Sequence, residues 1–185
     1  MIGVQDLRKG TTFSEDNDLY RVLDYQHIKS GRGNATIRVK VRNVRSGSTM
    51  EKTYPSGSRV QDVRLDHSEV QYLYHDGNLY TFMNVETFEQ PVLAADMLGD
   101  AVNFLVDNMV LDLETYEGEP ISVSLPTTVD LEVTQTDPGF AGDTATNATK
   151  PAVVTTGYSV QVPLFVNVGD RIRIDTRSGE YLTRV

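Results

Sequence analysis

The chain has 185 residues, 39% of them hydrophobic and 23% charged, with a formal net charge of −9 and no cysteine. That length holds one ordinary domain or two or three small ones, and the missing thiol excludes disulfides, thiolate metal sites and cysteine nucleophiles. The first ten residues lack the apolar core of a signal peptide, and no run approaches the roughly 18 apolar residues of a membrane helix, so the expectation is a soluble, cytoplasmic protein with no membrane partner.

The dominant period along the chain is two, the signature of strands. Leu19 to Ile28 reads as the first long strand. Ile37-Arg38-Val39-Lys40-Val41-Arg42 reads as the second, with aliphatic residues on one face and cations on the other. Ser30-Gly31-Arg32-Gly33-Asn34 joins them as a turn whose glycines are free to take positive φ. The result is a β-hairpin with Arg32 at its tip. Arg45-Ser46-Gly47-Ser48 turns the chain into a further strand, Met50 to Tyr54.

A second block begins near Arg64. Its hairpin is signalled by Val70–Tyr74 and Leu79–Met83 flanking His75-Asp76-Gly77-Asn78. Met97, Leu98, Ala101 and Leu105 recur at helical spacing, which predicts one helix over Asp96 to Val106, with Asp96 capping it or complementing its dipole. Ile121 to Leu125 is a strand closed by Pro126. The third block opens with Val129–Val133, passes through a turn-rich stretch from Asp137 to Pro151, and ends in strands over Ser159–Val166, Arg171–Asp175 and Tyr181-Leu182. Three all-β blocks of similar size, 1–63, 64–128 and 129–185, imply three small β-barrels in series.

Charge is sorted among these blocks. Residues 1–63 carry eleven Lys and Arg against seven Asp and Glu, residues 64–128 one against twelve, and residues 129–185 five against seven. No acid occurs from His27 to Met50. A nucleic-acid backbone would favour the first block and be repelled by the second.

Several motifs share one order and spacing with a known family. They are Phe82-Met83-Asn84-Val85-Glu86-Thr87-Phe88-Glu89-Gln90, Asp137-Pro138-Gly139, Gly142-Asp143-Thr144, Lys150-Pro151-Ala152, Val162-Pro163-Leu164-Phe165 and Asp175-Thr176-Arg177-Ser178-Gly179-Glu180-Tyr181. On these the chain resembles bacterial elongation factor P along its whole length, in the form with arginine at the tip. The resemblance implies an SH3-like (KOW-type) barrel followed by two OB-folds in an L-shaped, tRNA-like outline. It implies a monomeric translation factor that needs no cofactor or metal and is not an enzyme. Such a factor binds both subunits of the 70S ribosome beside peptidyl-tRNA and relieves stalling at consecutive prolines.

The resemblance also assigns residues. Arg32, backed by Gly31 and Gly33, aligns with the basic tip residue that reaches the CCA end of peptidyl-tRNA. Lysine-type modification is impossible there. Family members with a tip arginine are either modified by an arginine rhamnosyltransferase or act unmodified, and the sequence leaves both open. Lys29, Arg38, Lys40, Arg42 and Arg45 are expected to contact tRNA or rRNA phosphates. Gly142, Asp143 and Thr144 match a loop placed near the small subunit and the E-site codon, and Tyr181 and Arg184 match a contact with the tRNA elbow.

Other chemistry finds little support. His27, His67 and His75 lack metal-ligand spacing. Gly31-Arg32-Gly33 lacks the third glycine and the following helix of a dinucleotide site. The two Asn-Ala-Thr triplets have no secretory context, and the Glu114/Glu117 pair has no pocket to make it a glycosidase dyad. Two alternatives remain: an elongation-factor-P-like paralogue of the same architecture, and a stand-alone OB-fold binder of single-stranded nucleic acid using Tyr72, Tyr74, Tyr80 and Phe82 as stacking rings.

Overall fold

The strand Thr36–Asn43 shows how the sequence builds this protein: Ile37, Val39 and Val41 are fully buried, while Arg38 and Lys40 between them are exposed. Burying three such side chains contributes up to about 1.5–3 kcal/mol each. The computed structural model describes residues 1–139 and 148–185. It is nearly all β. One sheet runs in the order Ile2–Gly3, Arg59–Asp62, Thr12–Glu15, Asp18–Ile28, Thr36–Asn43, Thr49–Pro55. A second runs Glu119–Ser124, Val110–Tyr116, Asp66–Asp76, Leu79–Asn84, Val92–Ala94. The third runs Ser159–Pro163, Thr149–Val154, Thr128–Thr136, Arg171–Asp175, Tyr181–Arg184. Among the described residues no helix is long and apolar enough to cross a membrane.

Backbone contacts gather residues 1–68, 92–99 and 113–122 into one compact unit, and residues 69–91, 100–112 and 123–185 into another. In the first unit the main core includes Phe13, Tyr20, Ile37, Val39 and Val41. A smaller cluster of Leu19, Val44 and Ile121 lies beside it. Two cross-connections accompany that cluster: Arg21 donates to Glu114 at 2.5 Å and Arg45 to Glu119 at 3.2 Å. Glu114 is therefore an ion-pair partner and not half of a carboxylate dyad. Glu15 accepts hydrogen bonds from both Lys52 and Tyr54, and Lys52 lies over the Tyr20 ring at 4.4 Å. Burial alone would lower the Lys52 pKa, but the Glu15 bond and charge outweigh it and raise it.

In the second unit Leu131, Val133, Ile172 and Ile174 form a core that also takes in Phe104. Phe104 meets Tyr158 edge-on at 5.2 Å, and Thr156 Oγ1 donates to the Asn103 carbonyl at 2.6 Å. The hairpin of Asp66–Asp76 with Leu79–Asn84 is antiparallel, and it buries Tyr72 and Phe82.

The helix expected over Asp96 to Val106 is shorter and broken. Ala95–Leu98 is a single α-turn and Gly99–Phe104 is 3-10. Ala94, not Asp96, occupies the N-cap, with no side-chain cap. The break falls at Gly99, whose φ of +58 leaves the right-handed helical region. A Cβ there would stand 2.4 Å from the Arg42 guanidinium, so the interruption makes room for that side chain. Helical spacing reported the burial of Leu98 and Leu105 correctly, but only Leu98 lies in the α-turn and Leu105 falls beyond the helical residues.

The Asp175–Tyr181 motif is explained by its own turn. Asp175 Oδ1 accepts the Arg177 backbone N–H at 2.8 Å, its carbonyl accepts Gly179 N–H at 2.8 Å, and Tyr158 Oη donates to the Gly179 carbonyl at 3.0 Å. The Arg177 side chain, then its backbone N–H, holds the Asp175 carboxyl below its usual pKa. Gly179 has φ +75, and a Cβ would meet Tyr158 Oη at 2.3 Å. Gly179→Ala should therefore lower stability by roughly 2 kcal/mol, through left-handed strain and the clash together, visible as a lower urea midpoint.

Candidate nucleic-acid interface

The tip hairpin grows directly from the first sheet. Asp18–Ile28 and Thr36–Asn43 pair until Ile28 meets Thr36, and residues 29–35 close the loop. Lys29, Gly31, Arg32 and Gly33 are all exposed. The Arg32 side chain has no hydrogen-bond or ion-pair partner among the described residues. Neither glycine uses the freedom to take positive φ that the sequence allows them. A Cβ on Gly31 would meet nothing within 4 Å, and one on Gly33 only Ser30 Oγ at 3.1 Å. The chain's own geometry thus gives no reason for glycine at position 31, and at position 33 only a tight contact to which the Ser30 side chain would have to yield. Glycine still carries its entropic cost there.

Below the tip the basic face is mixed. Register sets Arg38 between Gln26 and Thr53, so its nearest cross-strand neighbours are neutral. Lys40 lies between Asp24 and Glu51, two acids that partly neutralise it. Neither cation engages a hydrogen-bond or ion-pair partner among the described residues.

Arg42 and Arg45, expected to reach phosphates, have internal work. Arg42 Nη2 donates to the Asp96 carbonyl at 2.7 Å and lies against Gly99. Arg45 donates to the Asn17 carbonyl at 2.7 Å and to Glu119 at 3.2 Å. The structure therefore groups Lys29, Arg32, Arg38 and Lys40 as outward-facing cations, with Arg42 and Arg45 committed to tying residues of the first unit together. The acceptors Asp96, Asn17 and Glu119 lie 54, 28 and 74 residues away, a separation no local spacing reveals.

At the C-terminus Tyr181 packs on the core and Arg184 does not accompany it. The Arg184 guanidinium lies 5.0 Å over the Phe165 ring and 3.6 Å from Asp170. Phe165 is more than half exposed and was not singled out by sequence reasoning, although it ends the Val162–Phe165 motif. The expected small-subunit loop, Gly142-Asp143-Thr144, lies outside the described residues. Among the described residues no group of His, Cys, Asp and Glu could hold a metal.

Three family models match the chain in series. They are the elongation factor P KOW-like domain over residues 3–60, its OB domain over 65–123 and its C-terminal domain over 129–184. The chain belongs to the elongation factor P family. Full-length relatives agree. An elongation factor P from Thermoanaerobacter sp. is 50% identical over 185 residues, and one from Symbiobacterium thermophilum 49% over 184, with 100% of both chains covered in each case. A solved structure of the eukaryotic translation initiation factor 5A from Methanococcus jannaschii has the same fold over 67% of this chain and 91% of that one, with TM-score 0.53 and 19% identity. The elongation factor P family is one of translation factors and not of enzymes.

Within this family member the two kinds of arginine should separate experimentally. Arg42→Ala should cost about 1.5–3 kcal/mol of stability by removing a charged donor from the Asp96 carbonyl, whereas Arg38→Ala should stay within about 0.5; paired urea titrations check both. Gly31→Ala should stabilise the fold by roughly 0.4–1 kcal/mol while lowering activity in translation, because the added Cβ obstructs only an external partner.

Proposed function

We propose that this elongation factor P binds the 70S ribosome beside peptidyl-tRNA in the cytoplasm and stimulates peptide-bond formation at consecutive prolines by positioning the CCA end. The observation that carries the reading is Arg32. It is exposed and without a described partner, flanked by two glycines, in a stretch that carries no acid from His27 to Met50. A guanidinium presented this way can fork onto a phosphate or stack on a base. Glycine on either side lets RNA approach the backbone. No covalent step is asked of the protein. Holding the reacting ends in attack geometry lowers the barrier entropically, by up to ~7–11 kcal/mol in ideal cases.

The three matched domains support a division at 1–63, 64–128 and 129–185. Lys29, Arg38 and Lys40 supply salt-dependent anchoring along the hairpin, and Arg184 and Tyr181, each in its own surroundings, contribute to contact with the tRNA elbow. Gly142, Asp143 and Thr144 serve the small-subunit side. The factor acts as a monomer, and an arginine rhamnosyltransferase is its partner where Arg32 is modified. The stand-alone nucleic-acid binder is less well supported. Tyr72 and Phe82 are 3% and 0% exposed, which removes two of its four stacking rings.

A triple-proline reporter in a purified translation system lacking this factor tests the reading. Unmodified wild type should restore synthesis, and Arg32→Ala should restore at least ten-fold less, with unchanged thermal stability. Rescue only by protein from native cells would assign a required modification, and no rescue by either preparation would end the proposal. In the same system Arg38→Glu should weaken ribosome binding and shift its log–log salt slope by about 0.7–0.9 per lost phosphate contact.

A further inference from the structure

The proposed function makes no use of the segment Phe82–Gln90. Its second half is a closed loop. Asn84 Oδ1 accepts the backbone N–H groups of Glu86 at 2.9 Å and Thr87 at 3.0 Å. The Asn84 carbonyl accepts Phe88 N–H at 2.9 Å, and Asn84 N–H donates to the Glu89 carbonyl at 2.8 Å. Phe88 sits inside this closure at φ +61, a conformation that bulky side chains rarely adopt. Its ring gains no burial in return. At 68% Phe88 is the most exposed large hydrophobic side chain among the described residues.

An aromatic ring that is both strained and in water is unfavourable for this chain on both counts. Its use must lie in a partner. The flanking charges identify the class. Glu86 and Glu89 are exposed on either side of the ring, and no lysine or arginine occurs between Arg64 and Lys150. Phosphates would be repelled from such a loop. A cationic protein surface with an apolar recess fits it: the ring fills the recess and the carboxylates meet a Lys/Arg rim.

We propose that the Asn84–Gln90 loop is a protein-docking element, with Phe88 inserting into an apolar recess on a lysine- and arginine-rich ribosomal protein. The proposal rests on the ribosome reading above and adds a second, protein-facing contact to the RNA-facing tip.

The test compares wild type, Phe88→Gly and the Glu86→Lys/Glu89→Lys pair on purified 70S ribosomes carrying peptidyl-tRNA. Phe88→Gly relieves the left-handed strain, so its thermal midpoint should rise by about 2–4 °C while ribosome affinity falls at least five-fold. The double charge reversal should weaken binding at low salt, and a photo-crosslinking residue at position 88 should label protein. A lowered midpoint in Phe88→Gly would make the ring structural and overturn the proposal. So would wild-type affinity in that variant, or tighter binding on charge reversal with crosslinks to RNA. Each of these leaves the ribosome reading intact. Failure of folded wild type to bind ribosomes at all would remove that reading and this proposal together.

Discussion

Alternation along Thr36–Asn43 is the constraint on which the rest depends. The same eight residues supply the fully buried Ile37, Val39 and Val41 and the outward Arg38 and Lys40. A one-residue slip in register would exchange the two sets, placing charge in the core and aliphatic groups in water. Core packing therefore fixes which face the cations occupy. The strand's pairing with Asp18–Ile28 extends to Ile28 and Thr36, so the same register also sets where the tip begins. Fold and presentation of Arg32 follow from one pattern.

Arg42 shows how far such a pattern reaches. It lies on the cationic side of the strand, yet its guanidinium seeks the Asp96 carbonyl and occupies the space left by Gly99. Period two predicts the direction of a side chain but not what waits there. The same limit explains the broken helix. Apolar spacing marked Leu98 and Leu105 for burial, but the glycine between them answers to a residue more than fifty positions earlier in the chain. Strands, hairpins and the all-β class were legible because they are set by near neighbours and by burial of alternate residues. Long-range partners such as Arg21 with Glu114, and Arg184 over Phe165, were not, because nothing local specifies them. The positive φ of Phe88 was hidden for a related reason: the sequence shows a common aromatic residue, and only the closed hydrogen-bond ring around Asn84 reveals its conformation.

The charge sorting acquires meaning from these placements. Cations of the first block divide into those consumed internally and those left for solvent. The acids of the central stretch divide likewise: Glu114 and Glu119 hold arginines, whereas Glu86 and Glu89 remain exposed around a hydrophobic ring. A net charge of −9 is then no obstacle to the nucleic-acid contact proposed for the tip. At a screening length of about 8 Å, partners sense local patches and not the total.

The tip loop has one more consequence. Because Arg32 has no described internal partner and points into solvent, the side chain at position 32 is uncoupled from folding. A change of that side chain alters what the hairpin presents without altering whether the protein folds to present it. The fold therefore tolerates exchange of the side chain at position 32 as freely as a tool handle accepts a new bit.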